Sequence, residues 1–174
     1  MLSKRFYNIL VGLFPLVYLI HNAEEWILLN TKISAILIVV PSNVKAIMPS
    51  EPQAISTIFG FALIFATIIP LVVALIIWNR INVLNIKILI VISFVTLINA
   101  ISHISSSFVL GFISPGFITG ILLCIPYSMV IIHFVRKNYT FTFRQYLILA
   151  LGSLAVYALG LGLSWLVGLL VFLF

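Results

Sequence analysis

The chain has 174 residues, 64% hydrophobic and only 7% charged, with a net charge of +6. A soluble domain carries about 25% charged residues, so the composition predicts an all-α, polytopic integral membrane protein. It would form one helical domain over residues 1–174 with no room for a separate soluble unit. The positive charge does not signal nucleic-acid binding, because the cations lie between apolar runs, where they set topology.

The start, Lys4-Arg5 ahead of an apolar run, has the charge order of a signal peptide. It lacks a small-x-small cleavage site and more spans follow, so it reads as a retained first helix. Hydropathy predicts five spans, at about 6–28, 56–78, 87–105, 115–135 and 145–172. Each is long enough to cross a core of about 30 Å at about 1.5 Å per residue. Lys4, Arg5, Arg80, Lys87, Arg136, Lys137 and Arg144 fall on one side, and only Lys32 and Lys45 on the other. The positive-inside rule then predicts a multi-pass protein of the cell membrane, with its N-terminus cytoplasmic and its C-terminus extracytoplasmic.

Between the first two spans, residues 29–55 form the longest connection. Its apolar part, Ile33 to Val40, is too short to cross. It either lies in the interface or re-enters, and the connection serves as a lid or as a plain linker. Ser50 and Gln53 have capping-box spacing, with Pro52 near the first turn, so the second helix is expected to begin there. Pro15, Pro70 and Pro126 fall inside spans, where each removes a backbone donor and invites a kink. Small residues recur every fourth position at Gly116, Gly120, Cys124 and Ser128, and again at Gly160, Ser164 and Gly168. Such ridges let helix backbones approach closely. The simplest expectation is that spans four and five pack on each other; a homodimer or partner-helix seam is the alternative. Cys124 is the sole cysteine, so no intrachain disulfide can form.

Chemistry concentrates in His21-Asn22-Ala23-Glu24-Glu25 near the far end of span one. The sequence has three carboxylates and no aspartate, and two of the three stand here. Ionisable groups at membrane depth usually face a bundle interior; the plainer alternative is that they end the helix at the water interface. His21 and Glu25 share a helix face one turn apart, with Glu24 about 100° round from Glu25. His21 lies about 22 Å into the core from the cytoplasmic side. His103 reaches a similar level in span three, which crosses the same way, and Asn99 lies one turn below it. His133 belongs to the opposite end of span four and reads as a solvated interfacial residue.

Two imidazoles and two carboxylates make a plausible set for zinc, iron or manganese. The expected ligands are His21, Glu25 and His103, with Glu24 as general base on a metal-bound water. His21, Glu24, Glu25 and His103 are thus the expected catalytic residues. A metal-free acid–base site, or a proton relay in a carrier, is the other chemistry these groups permit.

The pentapeptide resembles the signature of the HXXEE family of small polytopic membrane proteins. That family is also described by a further histidine, which would fall on His103, and a Tyr-x-Pro-Gly motif, which would fall on Ile113-Ser114-Pro115-Gly116. Ile113 stands in the tyrosine position, so no phenolic hydroxyl is available there. The resemblance implies a shared site but no activity, the family being of unknown function. Three readings follow. One is an intramembrane enzyme acting on a lipid or membrane-embedded substrate. The others are a proton- or cation-coupled carrier, and a non-catalytic partner protein. The absence of an internal repeat speaks against the carrier.

Overall fold

The computed structural model describes residues 4–40, 42–45, 49 and 51–174. Five helices among them are long and apolar enough to cross a membrane. They are α1 (Lys4–Val39), α2 (Pro52–Ile77), α3 (Val83–Leu110), α4 (Phe117–Asn138) and α5 (Phe143–Leu173). Their boundaries follow local chemistry. The Asn82 side chain accepts from the Asn85 N–H at 2.8 Å to start α3, and Gly111 closes it at φ 71°, a left-handed turn that glycine adopts without a Cβ clash. Thr142 and Gln145 form a capping box at the start of α5. In α4 the stretch Gly120–Cys124 widens into a π turn just before Pro126, which relieves the clash a proline ring makes with the preceding turn.

Helix α1 is longer than the hydropathy reading allows. It does not end at Leu28 but runs through the apolar Ile33 to Val39. Its 36 residues reach about 54 Å, beyond a core of about 30 Å. The segment expected to lie in the interface or to re-enter is a continuation of the helix. No glycine or proline interrupts it before Pro41, and a residue ahead of proline is turned away from helix. A short helical turn, Ser42–Lys45, follows. Ser50, half of the expected capping box, lies outside the described residues. Glu51 takes the N-cap position without a side-chain bond, and Pro52 opens the helix as expected.

The helices pack as a ring in the order α1, α2, α5, α3, α4, and the first turns of α4 return to α1. One end is filled by Tyr7, Val11 and Phe14 of α1, Ile86 and Ile90 of α3, and Ile131 and Val135 of α4. There the Tyr7 hydroxyl donates to the Ile77 carbonyl at 3.1 Å, and the Tyr127 hydroxyl to that of Leu10 at 2.8 Å. The exterior is clad in exposed Leu, Ile, Val and Phe, as a bundle in lipid requires.

The two small-residue ridges do not face each other. Gly120 lies 3.5 Å, measured from where its Cβ would be, from the Ala100 backbone of α3. Gly168 lies so close to α2 that a Cβ there would fall 2.3 Å from the Ile58 carbonyl oxygen. The expectation that spans four and five pack together is therefore corrected: small side chains license close approach without naming the partner, and here the partners are α3 and α2. Gly168→Ala is expected to destabilise the bundle by about 1–3 kcal/mol, the usual cost of overpacking. Gly162→Ala, which adds a methyl into open space, should leave thermal unfolding in detergent unchanged.

Candidate functional site

The pentapeptide fans out to several helices, because successive positions on α1 point about 100° apart, and His21 and Glu24, three residues apart, converge on Thr119 of α4. Asn22 donates through Nδ2 to Thr67 Oγ1 at 2.8 Å and to the Leu63 carbonyl at 3.3 Å, joining α1 to α2. Glu24 turns to α4. Its carboxylate accepts from the backbone N–H of Thr119 at 2.8 Å and of Ile118 at 3.3 Å, and from the Thr119 hydroxyl. The first N–H groups of a helix lack partners within it and present positive potential. Gly116, the residue before α4, has no side chain with which to cap it, so Glu24 caps it from across the bundle.

His21 is fully buried. Nδ1 lies 2.8 Å from Thr119 Oγ1, and Nε2 lies 2.8 Å from Asn99 Nδ2. The polarity of this chain follows from the groups themselves. An amide nitrogen only donates and a carboxylate only accepts. Asn99 therefore donates to Nε2, the Nδ1–H donates to Thr119 Oγ1, and the threonine proton goes to Glu24. His21 is thereby held as the Nδ1-protonated tautomer, with its Nε2 lone pair turned toward α3. The Asn99 Oδ1 accepts from the Tyr157 hydroxyl at 3.2 Å, and Tyr157 lies 2.9 Å from Ser102 Oγ, which brings α5 into the network.

His103 stands beside His21, the ring centroids 4.9 Å apart and tilted by 68°. Its backbone carbonyl accepts from the hydroxyls of Ser107 and Ser114. Its ring rests on Gly116, where a Cβ would fall 2.8 Å from the imidazole and where φ is +80°. Only glycine meets both demands, which gives the Pro-Gly turn a job. Ile113, in the tyrosine position, contributes its carbonyl, which accepts from Lys32 Nζ at 2.9 Å. The extension of α1 is thus tied over the α3–α4 turn, with the ammonium 5.0 Å from the Phe112 ring centre.

Glu25 Oε2 lies 3.9 Å from His21 Nε2 and 3.7 Å from His103 Nε2. One ligand atom from each of His21, Glu25 and His103 falls within 4.8 Å of the others. A tetrahedral ion with bonds of about 2.0–2.1 Å wants its ligands about 3.4 Å apart, so the two histidine–carboxylate gaps must close by about 0.3–0.5 Å and the histidine–histidine gap by up to about 1.4 Å. Three protein ligands leave one position open, the pattern of catalytic rather than structural zinc. Glu25, His103 and Asn99 also line one end of a cavity of about 630 Å³. His133 is exposed on α4, away from this cluster.

The structure brings His21, Glu25, His103 and Asn99 together, with Glu24, expected as a general base, bound to the first turn of α4. The sequence reading misses Thr119 and Tyr157. Thr119 follows Gly116 by three residues at the head of a span, and Tyr157 is a phenol at the same depth as Asn99. Those were the available signals.

In comparison with known proteins, the family described as proteins of unknown function with an HXXEE motif matches residues 12–131, which includes the pentapeptide and His103. No curated protein and no solved structure matches the chain.

Thr119 is the joint between Glu24 and His21. Thr119→Val is expected to cost about 1–3 kcal/mol, because the buried His21 and the partly buried Glu24 each lose a partner, and Thr119→Ser should recover most of it. Thermal unfolding in detergent measures the loss. Nitrogen NMR of the imidazoles should show His21 as the Nδ1–H tautomer in the parent and a mixture in the valine variant.

Proposed function

The chain belongs to the HXXEE family, and on that premise we propose that it is an intramembrane enzyme acting on a membrane-embedded substrate at a His21/Glu25/His103 centre that holds a divalent transition metal. The observation that carries this is the meeting of three ligating side chains from two helices at the end of a cavity lined mostly by apolar residues. Zinc, iron and manganese all suit two imidazoles and a carboxylate. A metal there supplies Lewis-acid chemistry at its open position.

The residues around the centre fit that role. Asn99 occupies the His21 Nε2 lone pair and would yield it to an ion. The other ring nitrogen is already anchored through Thr119 to the Glu24 carboxylate, the kind of outer support that metal-bound histidines depend on. Glu24 therefore serves as a positioning residue. The proton-transfer role expected of it passes to Glu25, whose carboxylate faces the cavity. Gly116, Gly120, Ser164 and Gly168 are engaged within the chain. That favours the cluster, rather than a helix-docking seam, as the working part.

The distribution of cations supports a cytoplasmic N-terminus and an extracytoplasmic C-terminus in the cell membrane, with the centre in the outer half of the bilayer. In a Cys124→Ala background, a cysteine at Ile113 should react with an impermeant maleimide from outside intact cells. One at Asn138 should react only after lysis; the reverse pattern would invert the topology.

Metal analysis tests the centre itself. Purified protein should hold about one ion per chain, and His21→Ala, Glu25→Gln and His103→Ala should each lose it. Glu24→Gln should weaken binding by about 10–100-fold without abolishing it. Equal and negligible metal in the parent and all variants would end the proposal.

A further inference from the structure

The cavity that begins at Glu25 and His103 does not end near them. Along α3 its wall is formed by Leu84, Lys87, Val91, Val95, Asn99 and His103, one helix face at intervals of three or four residues. Sixteen residues separate Lys87 from His103, so the cavity extends about 24 Å along that helix. Its remaining walls come from α1, α2 and α5 and are overwhelmingly apolar. Leu84, Val156 and Leu161 line it although each is half or more exposed. The cavity is therefore reachable from the lipid side of the bundle.

Its two ends differ in charge. The far end carries Lys87, a partly buried lysine lining the cavity with Leu84, Ile88 and Val91. No glutamate of this chain is placed to neutralise it. Glu24 and Glu25 sit at the opposite end with His103, and Glu51 directly precedes α2, at the end where Gly60 of α2 meets Trp26 of α1. Among the described residues the only ion-pair contacts are those of Glu25 with the two histidines. A cation beside a long apolar slot, with no counter-ion of its own, matches an amphiphile with an anionic head and a long hydrocarbon chain.

We propose that this cavity binds a long-chain carboxylate, its anion paired with Lys87 and its chain running along α3 to His103. This orientation presents the distal part of the chain, not the head, to the His21/Glu25/His103 cluster. It names a substrate class for the centre proposed above and rests on that reading only for what happens there. Binding itself needs no metal.

Trp165 lines the cavity and packs on Phe59, at the end away from Lys87, and so reports on orientation. Purified full-length protein in detergent with a chelator present is titrated with fatty acids brominated at the methyl end or beside the carboxylate. The first should quench a fluorescence component that Trp165→Phe removes, and the second should not. The methyl ester of the same acid should bind at least about tenfold more weakly, as should the acid to Lys87→Met, each losing one charge-assisted bond. Lys87→Arg should retain binding. Equal affinity for acid and ester overturns the proposal, as does quenching of Trp165 by the head-brominated acid or equal competition from phosphatidylglycerol. Because the chelator removes metal from the assay, a failed metal analysis and a failed lipid titration are separate results.

Discussion

A carboxylate on a membrane-spanning helix is costly unless the chain itself supplies its donors. Glu24 finds them on the opening turn of α4, and much of the bundle's geometry follows from that single closure. It fixes the start of α4 against the middle of α1, while the Tyr127–Leu10 hydrogen bond joins the same two helices at the other end. It also holds the proton of Thr119, which obliges that hydroxyl to accept from His21. One capping contact thereby sets the tautomer of a histidine one turn away on the same side of the helix. In a medium of low dielectric such a network stabilises strongly when complete and costs as much when broken.

The position of His103 depends on the same turn. Gly116 precedes α4 in a left-handed conformation and presents a bare backbone to the imidazole. Ser107 and Ser114 bind the His103 carbonyl and so tie the end of α3 to the turn that follows it. Lys32, two turns past Glu25 on the extended α1, holds that turn from above. The two histidines are thus brought together less by direct attraction than by a shared dependence on residues 113–119.

Much of this was legible in the sequence because it rests on lengths and periods. Hydropathy gives the five helices, and the rise per residue puts His21 and His103 at one level. What was not legible depends on neighbours. Glu24 and Glu25 are chemically identical and adjacent; only the helix that each meets separates the cap of α4 from the neighbour of the two histidines. Thr119 looks like any membrane threonine bonding to its own backbone, and its role exists only where Glu24 and His21 converge. The ridges told a similar half of the story, since a glycine such as Gly168 specifies proximity and leaves open to what. The end of α1 was misjudged for another reason. Polar residues at Asn30 and Thr31 read as a connection, yet both turn back to carbonyls of the preceding turn and leave the helix intact as far as Val39.

The separation of charge along the bundle follows from the same economy. With three carboxylates against nine cations, every acidic group lies at one end, so the cations at the other cannot be satisfied from within. Arg80, Arg136, Lys137 and Arg144 are exposed at or beside helix ends, where lipid head groups and water suffice. Lys87 differs because it also forms part of a cavity wall. Its alkyl stem suits that apolar wall while its ammonium does not, and the mismatch is resolved by a ligand that is itself half anion and half hydrocarbon. A slot that recognises its occupant by the head at one end can select for chain length at the other. The distance from Lys87 to His103 then acts as a ruler, one that needs no polar contact along the chain between them.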